Sequence, residues 1–278
     1  MDFQKTPLKD VARALGASEQ TVSNVINATG VFHHVAVSDR SAVREAELVN
    51  WMLNHLVAGI LLSAADNGGV AQQTAGRFGV RCIAIMNRGP RAAQDYVGAD
   101  NRAGARLAIE HLIGLGHRRI GHVRSLPSHT GNERAEGYAE ALAAHGIPVD
   151  PHLTGSGDYS RKGASAAIPT LLARAPDIAA VFCSSSLMAY GVLDAVGALG
   201  RRVPETLSVV GFDFMAFSSL GPIGLTSVAY DSFNLATLAL RRLTDCIADR
   251  SMMAVPYQVI LPCSLVLRGS AVHLTETP

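Results

Sequence analysis

The sequence predicts an α/β protein built on parallel sheets and preceded by a small, wholly helical amino-terminal unit. Three observations carry that expectation. From about residue 34 onward, short apolar runs rich in β-branched residues alternate with longer stretches of helical period, the pattern of parallel α/β folds. The stretch Pro7 to Asn27, PLKDVARALGASEQTVSNVIN, reads instead as two short amphipathic helices around a tight glycine turn. No internal repeat or low-complexity tract interrupts either pattern.

In the first short helix Leu8, Val11, Ala12 and Leu15 fall at i, i+3, i+4 and i+7, one apolar stripe. Pro7 suits its first turn and Gly16 its end. Ser18 then caps a second helix whose buried face is Val22, Val25 and Ile26. A helix-turn-helix pair of this kind crosses the DNA backbone with its first helix and lays the second in the major groove. Glu19, Gln20, Thr21, Ser23 and Asn24 are the outward, base-facing candidates. Over residues 1–30, Lys5, Lys9 and Arg13 are matched by Asp2, Asp10 and Glu19, so this segment has no net charge to drive counterion release and binding is expected to be weak.

Beyond residue 33, strands are expected at His34–Ser38, Ala58–Ser63, Arg81–Met86, Tyr96–Ala99, Arg119–Arg124, Ala180–Ser184, Leu207–Phe212, Thr226–Ala229 and as a final pair within Val255–Leu267. Helices are expected at about Ala42–His55, Val70–Gly79, Arg102–Leu115, Glu133–His145, Lys162–Ala175, Leu187–Leu199 and Phe233–Ala248.

The 278 residues suffice for one large or two modest domains with a proper core. With 24 basic against 23 acidic residues the chain is no polycationic coat protein, though it is compatible with a regulator whose contacts are few and local. Cys82, Cys183, Cys246 and Cys263 are widely scattered, which argues against zinc and fits a reducing compartment. No histidine pair has metal-ligand spacing, and neither metal nor cofactor is expected. The start MDFQKTPLKD lacks an apolar secretory core and no run is long enough to span a membrane, so a cytoplasmic protein is expected. No G-x-S-x-G, phosphate-cradling glycine loop or catalytic carboxylate pair stands out, which opposes an enzyme.

The string LKDVARALGASEQTVSNVIN resembles the amino-terminal headpiece of the LacI/GalR (lactose-repressor) family of transcription regulators. The resemblance implies that Glu19, Gln20 and Asn24 lie among the base-reading residues, Asn24 standing where arginine is common. Gln and Asn suit adenine N6 and N7, and Glu can accept from cytosine N4. Further on, VGADNRAGARLAIEHLIGLGHRRIGHV (97–123), NERAEGYAEAL (132–142), DYSRKGASAA (158–167), VFCSSSLMAYGVLDAVGALGRRVPETLSVVGFD (181–213) and LPCSLVLRGS (261–270) resemble the same family's effector-binding body, in the right order.

That resemblance implies a headpiece at 1–30 and an effector-binding domain at 31–278, two-lobed and periplasmic-binding-protein-like, with doubly wound parallel sheets and three crossovers. The first lobe would hold about 31–124 plus 231–250, the second about 125–230 plus 251–278, with ligand between them. The implied protein is a homodimeric repressor whose affinity for a pseudo-palindromic operator is set by a sugar-like effector. The alternative is a sugar-binding protein with impaired or no DNA binding, an internally deleted regulator or a transport-type protein.

Open parallel sheets present ligand groups from the carboxyl ends of their strands. Asp213 ends the apolar run Leu207–Phe212 where the family places an effector-contacting aspartate; the competing role is a turn cap. Phe214 follows where a second acidic residue is usual. The R-x-x-G-Y of Arg134 to Tyr138 matches the family's effector-gripping arginine, whose fork can bind two ligand oxygens. Tyr159 matches an aromatic position that can stack on a sugar ring, with ordinary packing as the alternative. Asp158 beside it is a weaker candidate. Ser185 and Ser186 stand where many members carry Asn-Asp, and Ser186 is taken as an effector contact. Asp100 reads first as the cap of the helix it precedes and second as a ligand contact. Loss of Arg134 or Asp213 is expected to abolish effector binding while leaving the unliganded chain nearly as stable.

One departure concerns continuity. After Thr29 the third headpiece helix, the hinge helix and the first strand and helix of the sensor body have no counterpart, and the chain passes through Gly30 and Phe32 into what resembles the sensor's second strand. In that fold the first strand lies between the second and third, so its loss would unpair two strands. Either residues are missing between about 29 and 32, or the chain is an internal deletion with a compromised first lobe.

Overall fold

The computed structural model describes residues 36–38, 40–64, 69–88, 94–213 and 224–274. The headpiece, with Glu19, Gln20, Thr21, Ser23 and Asn24, lies outside the described residues, as does the junction at 29–32. The rest forms two compact units, one of the residues up to Ala99 with Asp231–Leu261, the other of Asp100–Tyr230 with the chain from Pro262.

The first unit contains α1 (Ala42–Asn54), β1 (Gly59–Leu62), α2 (Val70–Arg77), β2 (Arg81–Ile85), β3 (Tyr96–Ala99), α7 (Ser232–Ala248) and β9 (Gln258–Leu261). Its strands run parallel in the order β1-β2-β3-β9. Ser41 begins α1 by accepting from the Arg44 amide at 3.3 Å, the N-cap bond that satisfies an orphan helix donor. Val49 and Leu53 of α1 pack with Ile60, Ala71 and Ala75. Asp95 is buried between two arginines, accepting from Arg81 Nε at 3.0 Å and Arg242 Nε at 2.9 Å. Burial alone would raise its pKa, but these bonds outweigh it and hold the carboxyl below its usual range.

The second unit contains α3 (Asn101–Gly114), β4 (Ile120–Arg124), α4 (His129–Ala144), β5 (Thr154–Ser156), α5 (Arg161–Arg174), β6 (Ala180–Cys183), α6 (Ser186–Val196), β7 (Ser208–Phe212), β8 (Thr226–Ala229) and β10 (Ser264–Val266). The sheet order is β10-β8-β7-β6-β4-β5, parallel except for antiparallel β10. Strand side chains alternate faces, and both faces are covered. Ile120, Ala180, Phe182, Val210 and Phe212 pack under α3 and α4 through Ile109, Leu112, Tyr138 and Leu142. Val123, Val181, Cys183 and Val209 pack under α5 and α6 through Ile168, Leu171, Ala189 and Val192. The uninterrupted burial of β6 and β7 explains why those segments read as solid apolar runs.

The structure departs from the sequence expectation in four places. Ala36–Ser38, the described part of the strand expected at His34–Ser38, is not strand. β5 was not expected, because Thr154, Gly155 and Ser156 form no apolar run; they pair with His122–Arg124 at the sheet's end. α4 starts at His129, a turn before Glu133, because Ser128 accepts from the Gly131 amide at 3.0 Å and caps it there. The unit boundaries also move: Asp100–Arg124 joins the second unit because β4 pairs with β6, and Gln258–Leu261 joins the first because β9 pairs with β3.

Candidate functional site

The parallel strands of the second unit all end on one edge of their sheet, and the residues just past those ends are the polar ones. β5 leads through Gly157 into Asp158 and Tyr159, β4 ends at Arg124, β6 gives way to Ser184, β7 to Asp213 and β8 to Tyr230. Their placement follows from sheet order and needs no long-range coincidence.

Arg134 is the hub, its side chain wholly buried. Nη1 donates to Asp213 Oδ2 at 2.9 Å and Nη2 to Asp213 Oδ1 at 2.6 Å, a bidentate fork. Nη1 also donates to the Ser184 carbonyl at 2.6 Å and, more loosely, to the Tyr159 hydroxyl at 3.3 Å. Nε donates to Asn101 Oδ1 at 2.9 Å. The guanidinium lies 3.7 Å from the centroid of the Phe212 ring, a desolvated cation–π contact. Burial alone would lower the Arg134 pKa, but the Asp213 charge outweighs it, so the guanidinium stays charged.

Tyr159 completes a triangle by donating its hydroxyl to Asp213 Oδ2 at 2.8 Å. Burial and then the Asp213 charge push the hydroxyls of Tyr159 and Tyr230 above their ordinary pKa, so both remain neutral donors. Backbone strain gathers here: Asp158, Tyr159 and Asp213 adopt φ of 48°, 64° and 67°, a left-handed region costly for a tyrosine and typical of functional sites.

A polar chain supports Arg134 from behind. Asn101 is buried, accepting from Arg134 while its Nδ2 donates to Glu133 Oε2 at 3.0 Å, and Glu133 Oε1 lies 3.3 Å from His129 Nε2. Asn101 can be oriented only one way, oxygen toward the guanidinium and amide nitrogen toward the carboxylate. His122 brackets the other side, its Nε2 at 2.8 Å from Ser184 Oγ and its ring near those of Tyr138 and Phe182. Burial, with a lesser push from Arg124, lowers the His122 pKa to about 3, so the ring is neutral.

Of the residues singled out from sequence, the structure brings Arg134, Asp213 and Tyr159 into direct contact. Asp100 serves as the cap of α3, its Oδ1 accepting from the Ala103 amide at 2.9 Å. Ser186 is fully buried and pairs with Ser227 Oγ at 2.8 Å, apart from the Arg134 cluster. Asp158 turns Oδ1 onto the Ser160 amide at 3.0 Å. Sequence reasoning passed over Asn101, Glu133 and Tyr230. The first two stand inside the quoted DNRAG and NERAEGY strings.

Among the described residues no group of three or more His, Cys, Asp or Glu is placed to hold a metal, and no helix is long and apolar enough to cross a membrane. All four cysteines are free thiols.

A family model for the periplasmic binding protein-like domain matches residues 109–271. The chain is 32% identical over 246 residues to the HTH-type transcriptional regulator CelR of Thermobifida fusca, covering 86% of this chain and 71% of that protein. It is 30% identical over 270 residues to the HTH-type transcriptional regulator GalR of Escherichia coli (strain K12), covering 95% and 75%. Its structure is similar to a transcriptional regulator CelR–cellobiose complex with a TM-score of 0.79 and 27% identity, over 95% of this chain and 99% of that one. With its parallel α/β units and relatives of this extent, all of them transcription regulators rather than enzymes, the chain belongs to the LacI/GalR family of transcription regulators.

Proposed function

We propose that the chain is a cytoplasmic, homodimeric repressor whose affinity for operator DNA is set by a small hydroxylated effector bound at the carboxyl edge of the second unit's sheet. The observation that carries this reading is the Arg134–Asp213–Tyr159 triangle, a strained and desolvated cluster with Asp213 17% exposed at its outer side. A carboxylate there accepts hydrogen bonds from neighbouring hydroxyls, and the neutral Tyr159 and Tyr230 hydroxyls add polar contacts. The relative solved with cellobiose supports a sugar-like ligand. Glu19, Gln20, Thr21, Ser23 and Asn24 remain the base-facing candidates.

A thermal-shift screen of the whole chain against sugars, sugar acids and nucleosides tests the effector half, since a ligand at 100 times its Kd stabilises by about 2.7 kcal/mol. Binding-site selection tests the DNA half: Gln20→Ala relaxes preference at one operator position, and an unaltered selected sequence removes that role. The charge-balanced headpiece favours a second reading, a sugar-binding protein that binds DNA weakly or not at all. An empty selection pool alongside a positive effector screen would establish it.

A further inference from the structure

We propose that Arg124 recognises an anionic group on the effector, so that this edge takes a hydroxylated carboxylate or phosphate, a sugar acid or sugar phosphate, in preference to a neutral sugar. The inference rests on the effector-site reading above and names the ligand class for it.

Arg124 stands in the middle of the edge. It is the last residue of β4, flanked on one side by the β5 turn, where the Gly157 amide donates to the Arg124 carbonyl at 2.8 Å. On the other side the Ser184 amide donates to the Val123 carbonyl at 3.0 Å. Tyr159 therefore follows one neighbouring strand and Ser184 the other, and both touch Arg134. Alternation along β4 puts Arg124 on the face of Ile120 and His122, toward α4. Its charge is felt there, as one of the causes that keep His122 neutral.

The charges around it are already committed. Arg134 and Asp213 neutralise each other as a fork. Glu133 is engaged by Asn101 and His129, and Asp158 by its own turn. Arg124 is half-buried and has no acidic partner among the described residues, which leaves it the uncompensated charge of this edge. Its planar fork matches carboxylate and phosphate oxygens. The loop it begins runs into the Ser128 cap of α4, whose amino end also favours negative charge over positive. An anion satisfies both, while Asp213 and the tyrosine hydroxyls remain for the ligand's hydroxyls.

Titration calorimetry of the whole chain against matched pairs tests this: glucose with gluconate and glucuronate, ribose with ribose 5-phosphate. The expected result is that a charged member binds at least about tenfold tighter than its neutral counterpart, the preference weakening with salt. In Arg124→Gln that preference disappears, the charged member falling to the affinity of its neutral counterpart. Carboxylate and phosphate members separate the two anion types. A neutral member that binds as tightly as its charged counterpart, or a preference that survives Arg124→Gln, overturns the proposal and leaves the effector site standing. Silence from every member overturns both.

Discussion

Asp213 meets Arg134 through both carboxylate oxygens, at 2.9 Å to Nη1 and 2.6 Å to Nη2, and the arginine has no solvent to fall back on. The pair therefore contributes to stability, which the sequence alone did not suggest. Asp213→Ala strands a buried cation and is expected to cost about 3 kcal/mol in urea unfolding, besides abolishing effector binding. Asp213→Asn, which keeps one acceptor, costs clearly less. Equal stability of the wild type and Asp213→Ala would show that Arg134 finds another counter-ion.

Tyr159→Phe isolates one hydroxyl. It removes the 2.8 Å bond to Asp213 Oδ2 while keeping the ring, and is expected to cost about 2 kcal/mol, the scale of a bond to a charged acceptor. The strained φ of 64° is unaffected by that change, so any loss reports the bond and not the backbone. Thermal unfolding with unchanged midpoint would mean that the hydroxyl contributes nothing in the unliganded state.

How far the sequence could be read follows from which residues act locally. Buried strands such as β6 and β7 announce themselves as apolar runs, and Asp213 is legible because it ends one of them. Arg134 and Tyr159 were legible only through their motifs, since nothing local to either predicts that both donate to a shared carboxylate. Asn101 was hidden because its partners, Glu133 and Arg134, lie far along the chain, and a polar residue opening a helix looks solvated. Ser186 misled for the opposite reason: it opens a helix at a strand end, yet its hydroxyl turns inward to Ser227.

Gly137 shows the same limit within a motif. In R-x-x-G-Y the glycine is the place where α4 crosses α3, and a Cβ there would run into the Arg102 carbonyl, which cannot swing away as a side chain could. Gly137→Ala is expected to destabilise by about 1–3 kcal/mol through overpacking, despite the better helix propensity of alanine. A stabilised variant in chemical unfolding would show that the two helices can separate at little cost.

His122 gives the fold a pH dependence of defined sign. Its pKa falls from the ordinary 6.5 to about 3 through burial, so between those values the unfolded chain binds a proton that the folded chain refuses. Its contribution is complete above pH 6.5 and is lost at about 1.4 kcal/mol per pH unit as the pH falls toward 3. Buried His117 is shifted in the same direction, again by burial first. Ring resonances of His122 are expected to stay constant from about pH 8 to about pH 5. Titration within that range would mean that the ring reaches water.

The first unit ends, among the described residues, at a strand with a single neighbour. Gly59–Leu62 of β1 pairs with Arg81–Ala84 of β2, and no described strand lies on its outer side, where the family resemblance leads one to expect another. Backbone groups facing that side have no ladder partner among the described residues, and such groups open more readily than those paired on both sides. β4 is the internal control, since it lies between β5 and β6. In hydrogen exchange of the whole chain, amides of Gly59–Leu62 should lose protection well before those of Ile120–Val123. The gap should close only if a strand from the amino-terminal segment or from a second copy covers the edge, and a concentration series separates these two. Protection equal to that of β4 at every dilution would mean that the chain covers β1 itself.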